Sequence, residues 1–334
     1  MKYYNIPIFV PHEGCPFDCV FCNQRRITGM DTSMTAEEVR STIIRYLKTI
    51  PKHERVVEAA FFGGSFTGIS KEKQTELLSV AYEFVKTGEI DGIRLSTRPD
   101  YISEDILAHL LKYGVKTVEL GVQSMDNEVL LASGRGHTRD TVINAVRLIR
   151  KYPFKLGLQM MIGLPQDSEE KAVATAQGIA ELKPDFVRIY PTLVLKDTYL
   201  EKMYKSGRYS PLSVPDTVSI LKKIMPIFYE ADIDIIRVAL TVTDEISPDG
   251  AVVAGPFHPA MRELAEGEIY FDKMCDILEK DRTVRAFSVN EAEISKAVGN
   301  GKRNTNRIFE KYGIRIKIKP CKALKKGELA AWKE

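Results

Sequence analysis

The sequence predicts an α/β protein built on a full or partial (β/α) barrel, followed by a small basic α+β unit. Three observations predict it. Short β-rich runs alternate with amphipathic helical patterns from Arg55 to Ile236, and polar or glycine-rich clusters follow several of those runs. After about residue 284 the pattern changes to strand–helix–loop–helix–strand. Strand–helix–strand alternation at this spacing implies a parallel sheet, because parallel neighbours need a crossover between them.

IPIFV (6–10) is the first strand, and 55–62, 92–97, 115–122, 154–162, 185–191 and 232–238 supply the rest. Helical patterns fill 71–87, 103–112, 138–151, 168–182 and 213–231. Thr35 with Glu38 forms a capping-box pattern, and Ser70, Ser103 and Ser168 precede polar first turns, as N-caps do. In a barrel of this kind the chemistry sits at the C-terminal ends of the strands. Periodicity does not separate a barrel from a doubly wound open sheet. The organisation read from these patterns is a core over 1–240, a connecting loop and helix over 241–283, and the small basic unit over 284–334.

Composition narrows the function classes. Apolar residues make up 44% and charged residues 28%, as in soluble globular proteins. No apolar run approaches the roughly 20 residues of a membrane span. The start, MKYYNIPIFVPHEG, is too short and too polar after Val10 for a signal peptide, so the expected compartment is the cytoplasm. Residues 296–333 carry twelve Lys or Arg against Glu310 and Glu328, a net of +10 in a chain whose total is +3. An anionic partner at the C-terminal end would account for that asymmetry.

Three of the five cysteines, Cys15, Cys19 and Cys22, fall within eight residues. An odd number so distributed is a poor disulfide framework and points to a metal or redox site. Cys275 and Cys321 read as small packing residues. Three clustered thiolates can hold three irons of a cubane and leave the fourth iron open to a small molecule. A zinc site would need a fourth ligand, for which His12 is the candidate. His12 and His258 are also candidates for proton transfer.

The Cys15-x3-Cys19-x2-Cys22 spacing, with Phe21 before the last cysteine, resembles the radical S-adenosylmethionine superfamily over roughly residues 6–240. The resemblance implies a [4Fe–4S] cluster on Cys15, Cys19 and Cys22, with S-adenosylmethionine chelated to the open iron. It implies reductive cleavage to a 5′-deoxyadenosyl radical and an electron donor such as flavodoxin or ferredoxin. By the same likeness, Phe21 sits near the adenine. Gly63, Gly64 and Ser65 end one strand and Ser96 the next, while Gln123, Arg135 and Gln159 hold ribose and carboxylate. Ile162 lies against adenine. A cap or turn role is the alternative for each polar residue.

Val187–Val194, with GGSF (63–66), STRPD (96–100) and SGRY (206–209), is similar to the Elongator catalytic-subunit family, which modifies the wobble uridine of tRNA. Two departures stand. That family has a longer gap between its first two cysteines, and nothing in this sequence corresponds to its acetyltransferase domain, so its acetyl-CoA reaction is not carried over. Tyr190 and Lys196 are the residues expected to line the lumen and act on substrate. The C-terminal unit resembles the minimal KH fold, whose GxxG loop clamps a nucleic-acid backbone. Its loop, Gly299-Asn-Gly301-Lys302, ends in Lys rather than Gly, and Arg303 and Arg307 follow at helical spacing. The expected partner is therefore RNA, and by the resemblance tRNA, with no membrane and the oligomeric state left open. Two other readings remain: a radical enzyme acting on a small molecule, like the oxygen-independent coproporphyrinogen oxidases that share ELGVQS and MIGLP, or an iron–sulfur RNA-binding protein without catalysis.

Overall fold

A computed structural model describes residues 2–10, 19–23, 34–240, 246–247 and 249–333. It divides into two compact units, Met1–Leu212 with Ile227–Phe257, and Ser213–Pro226 with His258–Glu334. Helix Val214–Glu230 passes from one to the other at Pro226. Proline lacks the amide hydrogen that would continue the ladder.

The first unit holds a seven-stranded parallel sheet: β1 (Lys2–Val10), β2 (Arg55–Gly63), β3 (Gly92–Thr97), β4 (Val115–Gln123), β5 (Lys155–Ile162), β6 (Phe186–Pro191) and β8 (Asp234–Val238). Their order is β1-β2-β3-β4-β5-β6-β8. Every crossover advances in the same direction. Right-handed crossovers that never reverse place all their helices on one face, which excludes the doubly wound alternative and leaves the other face as a lumen. Among the described residues β1 and β8 do not pair, so the barrel is partial.

Alternation decides what faces that lumen. In β1, Ile6, Ile8 and Val10 are at most 3% exposed, while Asn5, Pro7 and Phe9 line the inner cavity. Glu119 of β4, Gln159 of β5 and Arg188 of β6 point inward in the same way. Their neighbours Val118, Leu120, Leu158, Met160, Val187 and Ile189 are buried. A strand's period of two puts alternate residues on opposite faces, so the sheet is apolar toward its helices and carries its charged and amide side chains inside, beside Pro7, Phe9 and Met161. Register aligns the strand ends: Val10 pairs with Gly63 and Ile162 with Pro191.

The expected caps form. Thr35 accepts from the Glu38 amide, and the Glu38 carboxylate accepts from the Thr35 amide at 2.7 Å. Ser70, Ser103 and Ser168 accept from the amides of Lys73, Ile106 and Lys171. Within the segment expected to be an irregular loop after Val238, β9 (Val252–Ala254) pairs antiparallel with β7 (Val194–Leu195).

In the second unit, β10 (Val284–Val289) lies between β11 (Lys317–Pro320), which is parallel to it, and β12 (Leu329–Lys333), which is antiparallel. β12 was not expected from the sequence, since LAAW has no clear alternation. Helix Met261–Lys280, expected within a connector, instead supplies the core: Tyr270, Phe271, Met274 and Leu278 pack with Phe287, Val289 and Ile308. A twenty-residue helix with an apolar stripe must bury that stripe, and the strands provide the cover.

Replacing Thr35 by Ala removes the reciprocal cap and is expected to cost about 1 kcal/mol of stability, read from the denaturation midpoint.

Candidate functional site

A cavity of ≈ 570 Å³ opens at the C-terminal ends of the first unit's strands. Cys19, Phe21, Cys22, Gly63, Gly64 and Ser65 line it, with Ser96, Gln123, Arg135, Gln159 and Tyr190. Eleven residues singled out in the sequence thus share one cavity. Cys15 and His12 lie outside the described residues.

Two expected residues do not line the cavity. Ile162 is fully buried; it alternates with the cavity-lining Met161, so its side chain faces the helices. The Lys196 ammonium donates to the Gly250 carbonyl at 2.5 Å, which makes it a tie for the loop preceding β9. His258 is likewise local, its Nδ1 accepting from the Ala260 amide at 3.1 Å.

The chain around the two described cysteines is anchored by backbone. The Val20 amide donates to Ser133 O at 3.1 Å and the Leu200 amide to Val20 O at 2.7 Å. The Asn23 side-chain amide reaches Lys196 O at 3.0 Å. Gly63 has φ 104°, a conformation that favours glycine, and the Gly64 amide bonds to Val10 O. The glycine pair therefore turns the chain at the rim of the cavity.

Arg135 is buried at the cavity wall. One guanidinium nitrogen donates to Gly121 O at 2.7 Å and another lies 3.5 Å from Cys19 Sγ. Its Nε is buried with no acceptor among the described residues. An unmet N–H of this kind is costly and would be satisfied by an anionic ligand. A Cβ at Gly121 would stand 2.8 Å from the Arg135 guanidinium, so glycine leaves the room this approach needs.

Arg98 was not singled out in the sequence, yet it fixes Arg135. It is 1% exposed, is held by Asp100 through Nε at 2.9 Å and Nη2 at 3.0 Å, and donates to Arg135 O at 2.5 Å. The same segment carries His137, whose Nε2 lies 3.2 Å from Val122 O. A carbonyl only accepts, so the neutral ring carries its proton on Nε2. Burial, then the Arg135 charge, holds this imidazole at about 4.

Deeper in the lumen, four charges close on one another. Arg94 donates to Glu58 at 2.8 Å and to Glu119 at 3.2 Å. Arg188 grips Glu119 in a fork at 2.6 and 3.2 Å, and Thr117 donates to Glu58 at 2.8 Å. Arg188 Nη1 also lies 3.5 Å from the Tyr190 hydroxyl, coupling this floor to the cavity's phenol. The motifs ELGVQS and Val187–Val194 contain Glu119 and Arg188 but do not reveal the network, because its members come from four strands. Charged residues at alternate positions of buried strands were the available signal.

In the second unit, Gly299 and Gly301 adopt φ of 76° and 61°, and Lys302 a φ of 63°. Arg303 and Arg307 are both ion-paired, although the Arg303 side chain is still 56% exposed. Glu268 bridges both, at 3.3 and 2.6 Å, and the Arg307 guanidinium lies 3.6 Å from the Phe271 ring centroid. Helical spacing put them on one stripe; packing turned that stripe toward an acidic neighbour.

A partial parallel barrel with paired cysteines and glycines at its mouth defines a cofactor-binding enzyme core. The family model described as the Radical SAM superfamily matches residues 9–179, and that of the Radical_SAM C-terminal domain matches 184–270. The chain belongs to the radical SAM superfamily, whose members in general use S-adenosylmethionine and a [4Fe–4S] cluster. It is 29% identical over 330 residues to "Elongator complex protein 3" of Bos taurus, covering 88% of this chain and 56% of that protein. It is 38% identical over 264 residues to "tRNA uridine(34) acetyltransferase" of Methanocaldococcus jannaschii, covering 66% of this chain and 49% of the relative. Among solved structures, the fold matches archaeal Methanocaldococcus infernus Elp3 with TM-score 0.62 at 22% identity, over 94% of this chain and 68% of that one. The chain spans about half the length of the curated relatives it matches. Among the described residues no helix is long and apolar enough to cross a membrane.

Two predictions follow from the buried charges. Glu119→Gln leaves Arg94 and Arg188 short of an anion and is expected to destabilise the chain by roughly 3–5 kcal/mol in denaturant titrations. The depressed His137 value means the unfolded chain binds the extra proton first. Its contribution, about 3 kcal/mol, is full above pH 6.5 and lost as the pH falls through about 4. A His137→Gln variant is expected to lack that slope.

Proposed function

We propose that this chain binds a [4Fe–4S] cluster through Cys15, Cys19 and Cys22 and uses S-adenosylmethionine to modify tRNA. The observation that carries the reading is a single cavity joining Cys19, Cys22, Gly63, Gly64 and Arg135 at the C-terminal ends of a partial barrel. When bound, the cluster and its co-substrate supply one-electron carbon–sulfur cleavage and a 5′-deoxyadenosyl radical.

The chain's own residues bind, orient and exclude water. Arg135 offers a buried N–H to the carboxylate of the methionine moiety, a charge-assisted contact. The Gly63–Gly64 backbone serves its amino group. Gln123 accepts from Gln159 at 3.1 Å, which sets both amides beside the ribose, with Ser96 and Ser65 on the same rim. Phe21 covers the adenine. Below them Phe9, Phe62 and Met161 line the lumen and keep water from a reactive carbon. Tyr190, oriented by Arg188, faces the substrate space. Support for tRNA comes from relatives whose names are Elongator complex protein 3 and tRNA uridine(34) acetyltransferase, together with the basic second unit.

Anaerobically reconstituted, reduced protein is expected to release 5′-deoxyadenosine from S-adenosylmethionine. Cys19→Ser and Cys22→Ser should abolish release, and Arg135→Ala should raise the KM for S-adenosylmethionine about tenfold or more. Nucleosides from cells with and without the gene should differ at a modified uridine. Absence of 5′-deoxyadenosine would end the enzymatic reading.

A further inference from the structure

We propose that the outer face of the second unit's sheet is a platform for single-stranded RNA, with Trp332 of β12 stacking a base and Lys317 and Lys319 of β11, across the central β10, meeting the backbone. The proposal rests on the RNA reading above and gives that unit a contact surface other than its glycine loop.

Alternation and register build the face. Phe287 and Val289 of β10 enter the helical core, so Ala286 and Ser288 point the opposite way. Ala286 pairs with Lys317 on one side and Trp332 on the other, and Ser288 pairs with Lys319 and Ala330. One row therefore reads Lys317, Ala286, Trp332 and the next Lys319, Ser288, Ala330. The centre is small, one edge is basic and the other carries the indole.

The indole is held and exposed together. Its Nε1 donates to Ser288 Oγ at 2.8 Å, which satisfies its only polar atom, yet the residue is 53% exposed. Ala286 and Ser288 beneath it are 0% and 6% exposed, so the ring lies over the sheet's small residues with its other side to solvent. A fixed aromatic face stacks any base, because every base has a π-face. Lys317 and Lys319 are exposed on the same side, one strand beyond the centre, where a flexible four-carbon stem can meet phosphate as a point charge. The surrounding segment is strongly basic, which suits a polyanion. An apolar protein partner fits less well, since the face offers one large ring and no second hydrophobic anchor.

Trp332 is the only tryptophan in the chain, so emission excited at the indole's red edge, beyond tyrosine absorption, reports this face alone. The full chain would be titrated with fluorescently labelled single-stranded oligouridylate and with unmodified tRNA. Anisotropy of the labelled RNA reports binding, and tryptophan emission reports stacking. Emission is expected to fall in step with binding, and heparin, a polyanion without bases, should bind without quenching. Trp332→Ala is expected to weaken oligouridylate binding about tenfold or more, while Trp332→Phe retains most of it. Replacing Lys317 and Lys319 together by Ala should lower the salt dependence by a slope of about 1–2. Binding with unchanged emission and a Trp332→Ala affinity equal to wild type would overturn the platform and leave the RNA reading standing. Failure of both RNAs to bind at low salt would overturn the RNA reading and the platform with it. Binding of an acidic protein at this face, with RNA binding unaffected by Trp332→Phe and Trp332→Ala alike, would also overturn the platform.

Discussion

A partial barrel must hide both faces of its sheet, and in this protein the floor of the inner face is charged. Charges taken out of water survive only when each has a partner. Glu119 meets that constraint by standing between Arg94 and Arg188, while Glu58 and Thr117 complete the set. The pairs join β2, β3, β4 and β6 across the lumen, so the cavity's floor is tied to four strands at once. Tyr190, beside Arg188, takes its position from that floor.

The mouth of the cavity depends on a second buried pair. Arg98 and Asp100 fix the backbone carbonyl of Arg135, and Gly121 leaves space for the guanidinium. Arg135 then faces Cys19 with one N–H unmet among the described residues. The guanidinium is thereby held in one place, and a group already ordered loses less entropy at binding. His137 follows from the same packing, since burial and then the nearby Arg135 charge favour its neutral form.

The second unit shows how packing reassigns residues that look functional. Asn304 donates to Gly267 O and Ala297 O at 2.8 and 3.2 Å, holding the segment beside Gly299, where a Cβ would sit 3.0 Å from Asn304. Glu268 takes up Arg303 and Arg307. Of the positive charge counted along the tail, part is spent internally. Exposed lysines nevertheless stand on the loop at Lys302, on the sheet edge at Lys317 and Lys319, and on the following turn at Lys322, Lys325 and Lys326.

Strand and helix positions, the caps at Thr35, Ser70, Ser103 and Ser168, and the cysteine and glycine motifs were legible in the sequence, because each is a local pattern set by the periods of two and 3.6 or by backbone sterics. Ile162 and Lys196 were misplaced, since a motif's position does not say which face a side chain takes. β12, the helix Met261–Lys280 as a core element, and the ion pairs of Arg94, Arg98 and Arg188 were not legible. Those features join residues that are far apart in the chain and meet only when the sheet curls or the helix docks. The sequence by itself thus determined the elements and the chemistry carried at the strand ends. Only the tertiary structure decided which charges neutralise one another and which still face a ligand, because electrostatic pairing depends on distance in space and not along the chain.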